Sequence, residues 1–127
     1  MPLNERAQRL KIDTRESILA NIIALRRQRK EASQAADAAS VNALQAGIDT
    51  LLDLLDDLSF LSLEALEDSA ELRQTIAELK QAADALEDEA DNITTVAEAL
   101  EKRARIIDQA VEIISKLRQF VPIPIPF

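Results

Sequence analysis

Apolar residues recur through the second half of the chain in alternating steps of four and three. The run is Leu72, Ile76, Leu79, Ala83, Leu86, Ala90, Ile93, Ala97, Leu100, Ala104, Ile107, Val111 and Ile114. That spacing is the a/d seam of packed helices. A second seam runs through Val41, Leu44, Ile48, Leu51, Leu55 and Leu58, widened by Leu52 and Leu54. A third apolar face, Ile18, Leu19, Ile22, Ile23 and Leu25, spans a wider arc than a single seam needs, which predicts contact with more than one neighbouring helix. No segment alternates apolar and polar residues in the manner of a strand. The pattern predicts an all-α fold: an antiparallel helical bundle or coiled-coil hairpin of three to four long amphipathic helices over residues 1–120.

Local signals suggest the boundaries. Asp13 with Glu16 has capping-box spacing and predicts a helix start near Asp13 or Thr14, with residues 3–12 either extending that helix or lying over the bundle. Arg26, Arg27, Arg29 and Lys30 then suit its last turn. The Ala-rich stretch from Glu31 to Ala46 admits a new helix capped by Ser33 or Ser40, or a helix running straight through. Ser59-Phe60-Leu61-Ser62-Leu63 interrupts the pattern and predicts the main reversal, with Ser62 as N-cap and Glu64 and Glu67 in or near the first turn. Beyond it, the unbroken phase favours one continuous helix over 64–119, about 80 Å long. A turn at Asp91-Asn92 is the competing arrangement, supported by the Thr95/Glu98 capping-box spacing. Residues 121–127 alternate proline with apolar residues and predict a stiff, extended tail that either covers the bundle or docks into a partner's groove.

Composition narrows the chemistry. The 127 residues include one Gly, and the four Pro stand at positions 2, 122, 124 and 126, so nothing between 3 and 121 is forced to break a helix. His, Cys, Trp and Tyr are absent, which removes the usual general base, metal ligand and thiol nucleophile. The Glu-x-x-His pairs of di-iron bundles cannot be built, and with Gly47 as the single glycine there is no phosphate-cradling loop. The acidic clusters Asp53, Asp56, Asp57 and Glu87, Asp88, Glu89, Asp91 read as solvated helix faces. No catalytic residue, cofactor, metal or small-molecule substrate is expected.

The net charge of −8 is unevenly spread. Residues 1–34 hold eight Lys/Arg and four Asp/Glu, residues 35–101 hold two and seventeen, and residues 102–127 hold five and two. Basic ends lying against an acidic middle within one bundle would account for this. The basic run is short, lacks aromatic neighbours and belongs to an acidic chain, so nucleic acid is disfavoured as a partner. The first residues carry no signal-peptide pattern, and the apolar region Ile48–Leu66 is broken by aspartates, so a cytoplasmic location is expected, with a non-classical secretion route left open.

These features point to a non-enzymatic protein–protein interaction module (scaffold, adaptor, chaperone-like binder or inhibitor). Its partner would be another protein or a further copy of itself. The residues expected to carry binding are Arg26, Arg27, Arg29 and Lys30, then Phe60 and Leu61, then Ile123, Ile125 and Phe127 of the tail. The alternative is a membrane-active helical protein inserting an apolar hairpin tip at 58–63. A weaker third reading is a segment that assembles between chains; its Ala-rich seam lacks the Ile-at-a, Leu-at-d pattern of a parallel dimer, so antiparallel packing is expected.

Overall fold

The computed structural model describes residues 3–63 and 66–121. It contains α1 (Leu3–Gln34), α2 (Ala38–Ser59), α3 (Ala70–Asp91) and α4 (Val96–Arg118), packed side by side as a bundle. Helix α1 touches all three others, while α2 and α3 make no contact, so they occupy opposite corners. The broad apolar face of α1 has this cause, although only part of it is buried: Ile18, Ile22 and Leu25 enter the core, Leu19 is half-buried, and Ile23 faces solvent. Contacts at matching heights give the directions. Lys80 lies against Asp13, Ser17 against Ala83 and Asn21 against Leu86, so α3 runs parallel to α1. Arg29 meets Gln45 and Lys11 meets Leu61, so α2 runs antiparallel to it. Glu89 meets Lys102 and Arg105 across the tight α3–α4 turn.

Helix α1 begins ten residues earlier than the capping signal predicts. Asp13 is not a cap; it sits mid-helix, where its carboxylate pairs with Lys80 at 3.0 Å. The hidden reason is a heptad seam that is small or polar at every position but Leu10: Ala7, Leu10, Thr14, Ser17, Asn21, Ala24 and Gln28 are all buried. Thr14 satisfies its hydroxyl on the Leu10 carbonyl one turn back at 2.7 Å, and the one proton of the Ser17 hydroxyl lies within reach of two carbonyls, that of Asp13 at 2.8 Å and that of Ala83 on α3 at 2.7 Å. Nor do Arg26–Lys30 form a last turn, because α1 continues to Gln34 and its final turn holds no basic residue.

The α1–α2 turn is closed without glycine. Ala36 takes φ 57°, in the left-handed region. Asp37 N–H reaches the Ala32 carbonyl at 2.9 Å and Ala36 N–H reaches that of Ser33 at 3.1 Å, the paired bonds of a Schellman motif. Asp37, rather than Ser33 or Ser40, caps α2: its carboxylate accepts from the Ser40 backbone N–H at 3.2 Å and from the Ser40 hydroxyl at 2.6 Å. At the far end of α2, Lys11 donates to the carbonyls of Ser59 and Leu61 at 3.2 and 2.8 Å, a cation placed at the negative end of a helix dipole. The interruption after Ser59 is real, but Ser62 is not the next cap. Ser69 fills that role, accepting from Leu72 N–H at 3.0 Å.

The continuous helix over 64–119 is not found. The chain turns at 92–95, and Thr95 caps α4 by accepting from Glu98 N–H at 3.1 Å. Through α3 the predicted seam holds, since Leu72, Ile76, Leu79, Ala83, Leu86 and Ala90 are all buried. Ile93 is buried too, although it lies in the turn, and this is why the phase looks unbroken. Past the turn the helix restarts one residue out of step. Its core positions are Ala99, Ile106, Ala110, Ile113, Ile114 and Leu117, whereas Ala97 and Ala104 are exposed and Val111 is 41% exposed. One residue is a rotation of about 100° on a helix.

The frame shift is measurable. Ile113→Ala is expected to lower unfolding free energy by about 2–5 kcal/mol, and Val111→Ala by less than about 0.5 kcal/mol, in urea titrations. The reverse ranking would restore the continuous seam. A second expectation concerns acid. The Thr94 hydroxyl, and then that of Thr95, hold the Glu98 carboxyl below its ordinary value. A group depressed on folding stabilises fully above its unfolded value, about 4.3 for Glu, and loses that contribution as pH falls through the folded value. Glu98→Gln should therefore lower Tm at pH 7, and the deficit should shrink as pH falls below the unfolded value and through the folded one.

Candidate functional site

The basic run of α1 is divided by the helix period. Gln28 points into the core. Arg29 lies along the edge facing α2 and donates to the side-chain oxygen of Gln45, whose amide donates in turn to Asp49 at 2.8 Å. Arg26, Arg27 and Lys30 stay exposed. Helical spacing puts them beside apolar residues that the core does not take. Ile12, Leu19, Ile23 and Lys30 are separated by seven, four and seven residues and share one outer face of α1. Ile12 is 48% exposed and Ile23 54%. Arg15 and Arg26 flank this row on the side toward α2.

The adjoining edge of α2 carries the opposite charge. The Gln45 side chain meets α1, which fixes that edge, and Leu52, seven residues on, lies along it with 36% exposure. Asp49 and Asp56 stand next to Leu52, with Asp53 and Asp57 further round. Helix α2 contains no Lys or Arg at all.

Ion pairing among the described residues leaves this face alone. Arg73 pairs with Asp68 at 2.5 Å, Lys80 with Asp13 and Asp84 at 3.0 Å each, Lys102 and Arg105 with Glu89 at 3.6 Å each, and Lys116 with Glu112 at 3.0 Å. None of the eight Lys and Arg residues of α1 is in such a pair, and neither is any of the four aspartates of α2. The idea of basic ends lying against an acidic middle thus holds for α4, through Glu89, and fails for α1. A scan against protein-family models, a search of curated proteins and a search of solved structures each find no match for this chain.

The other expected positions fare differently. At the tip Phe60 is 84% exposed, but Leu58, Leu61 and Leu63 are buried, so Leu61 supports the core instead of a surface. Burial of these leucines leaves the tip one apolar side chain to offer. Among the described residues, no helix is long and apolar enough to cross a membrane. Ile123, Ile125 and Phe127 lie outside the described residues; of the tail, Val121 packs against the core. A crevice of about 220 Å³ opens between α1 and α3, lined by Arg6, Arg9, Leu10, Arg73, Ile76 and Lys80, but Arg73 and Lys80 are held by the acids named above. Sequence reading missed Ile12, Arg15 and Leu52 as surface residues. The signal for the first two was a second heptad on α1, at 12, 16, 19, 23, 26 and 30, carrying only three apolar residues.

Because Arg26, Arg27 and Lys30 make no side-chain hydrogen bond or ion pair among the described residues, replacing all three by Ala is expected to change unfolding free energy by no more than about 0.5 kcal/mol. A loss of several kcal/mol in a denaturant titration would mean that they stabilise the fold.

Proposed function

We propose that this protein is a non-enzymatic interaction module that binds another protein through the outer face of α1. The observation that carries the reading is the row of unpaired cations lying beside the exposed Ile12 and Ile23. Surface cations without acidic partners are ordinary when scattered. Here they border contiguous apolar side chains, the composition of an interface: an apolar centre with a charged rim. A partner of complementary form offers apolar side chains bordered by carboxylates. Nucleic acid fits less well, because the exposed Phe60 at the end of the face is the one aromatic side chain near it among the described residues and the chain is acidic overall. The charged groups on and beside this face include Arg15, Glu16, Arg26, Lys30, Asp49 and Asp56, with no His or Cys among them to form a base–nucleophile pair, which supports binding over catalysis.

The test places a photo-reactive amino acid at position 23 of the full chain, in the cell that makes it. Illumination is expected to yield a discrete protein adduct, and the same group in place of the exposed Asp88 on α3 is expected to yield none. No adduct at position 23, or one to nucleic acid, would overturn the reading.

A further inference from the structure

We propose that the outer face of α1 docks onto the outer α2/α4 face of a second copy of this chain, so that copies join head to tail. This rests on the reading that the α1 face binds protein, and it names the partner. That partner has to offer apolar side chains bordered by carboxylates, and the chain carries such a surface itself. It is the regular seam of α4, which the restart after the 92–95 turn leaves outside the core. Ala97 and Ala104 are exposed, Val111 is 41% exposed, and Leu100 and Ile107 are half-buried. Their alternating steps of three and four form a narrow coiled-coil stripe, the kind that receives one further helix.

Contacts fix what surrounds this seam. Gly47 of α2 lies against Arg103, which marks the side of α4 turned to α2. Going outward around α4, the seam comes after Arg103, and Asp108 and Glu101 come after the seam. On α2 the residues outward of Gly47 are Thr50, then Asp57 and Asp53. The apolar strip is thus bordered by two carboxylates on α4 and two on α2. All four are exposed, and none belongs to an ion pair among the described residues.

The α1 face has the same layout with the charge inverted. Arg15 and Arg26 flank Ile12, Leu19 and Ile23 on the side toward α2. Arg9 and Arg27 flank them on the side toward α3, where Glu16 is the one acid interposed. Shape agrees with charge. Helix α1 has α2 on one side and α3 on the other, so its outer face is a ridge at a corner of the bundle. The seam of α4 lies beside the groove between α4 and α2. A ridge laid in that groove sets cations against carboxylates along both borders. A contact about 25 Å long and 20 Å wide buries roughly 500 Å² per copy, or about 1,000 Å² in total, the size of weak, reversible interfaces. Ridge and groove lie on different sides of the bundle, so one copy can use both at once. An interface between unlike surfaces is heterologous and extends into rings or filaments.

The experiment is sedimentation velocity on the full chain, at low and at high salt, with circular dichroism reporting the fold. With rising concentration at low salt, the parent is expected to form species larger than a pair of 14.0 kDa chains, and to lose them at high salt. Ile23→Asp spoils the ridge and Val111→Asp the seam; each alone should weaken association by about tenfold or more at unchanged helicity. An equimolar mixture of the two should form a 1:1 pair and nothing larger, because one variant keeps the seam and the other keeps the ridge. Its affinity should match the parent's to within about threefold. The surface variant Asp57→Arg/Asp108→Arg, which alters no apolar position, should behave as Val111→Asp does. A parent that is monomeric at about 500 µM in low salt, or a mixture that stays monomeric while the parent assembles, overturns the proposal. If the parent is monomeric and a probe at position 23 captures a different protein, the interaction reading stands and this one fails. If the parent is monomeric and that probe captures nothing, both fail.

Discussion

The bundle is organised by hydrogen bonds that α1 sends into α3. The Asn21 amide donates to the carbonyl of Leu86 at 2.8 Å, and the Ser17 hydroxyl shares its one proton between the carbonyl of Ala83 at 2.7 Å and that of Asp13 on its own helix at 2.8 Å. The carbonyls of Leu86 and Ala83 already serve their own helix, and each uses its second lone pair for the neighbour. Fully buried donors must find such partners, because an unmade bond would cost most of the group's desolvation. Apolar side chains tolerate a slide along the helix; a buried amide that must place both of its protons does not. The Asn21 bond, with the Ser17 bond beside it, therefore fixes both the height and the rotation of α3 on α1. The small residues Ser17, Ala83 and Ala24 let the axes come close enough to make them. With α3 fixed, the short 92–95 turn fixes α4, and Lys11 secures the end of α2.

This arrangement explains what could be read from the sequence. The seams of α2 and α3 are made of large aliphatic residues, and most of those positions are buried. The inner seam of α1 is half polar, so it gave no apolar rhythm, and the sequence left residues 3–12 open between extending the helix and lying over the bundle. The turn at Asn92 was obscured by Ile93, a buried residue in a non-helical segment that happens to keep the spacing. Capping chemistry was the sounder guide there: Thr95 and Glu98 marked the new start correctly, while the phase argument pointed the other way. At Asp13 the same spacing misled, since a carboxylate mid-helix can answer to a neighbouring helix, here through Lys80.

The surface was less legible than the core. Sequence alone located the basic run, but it could not tell that Gln28 would be buried, that Arg29 would be tied to Gln45, or that the remaining cations would lack acidic partners. Charge segregation along a chain is compatible with either internal pairing or an open face. Only the side-by-side placement of α1 and α2 separates the two. It also shows that Ile23, counted among the core residues by its neighbours, belongs to the outside.

The absence of contact between α2 and α3 has a consequence for how the molecule comes together. Chain neighbours pair within two hairpins, α1–α2 and α3–α4, each closed by a turn of a few residues. Hairpins of this kind form early, because closing a short loop forfeits little chain entropy. Joining the halves depends on the α1–α3 and α2–α4 contacts and on the connection of residues 60–69. That connection acts as a tether, holding two preformed hairpins at a high effective concentration so that their docking is unimolecular.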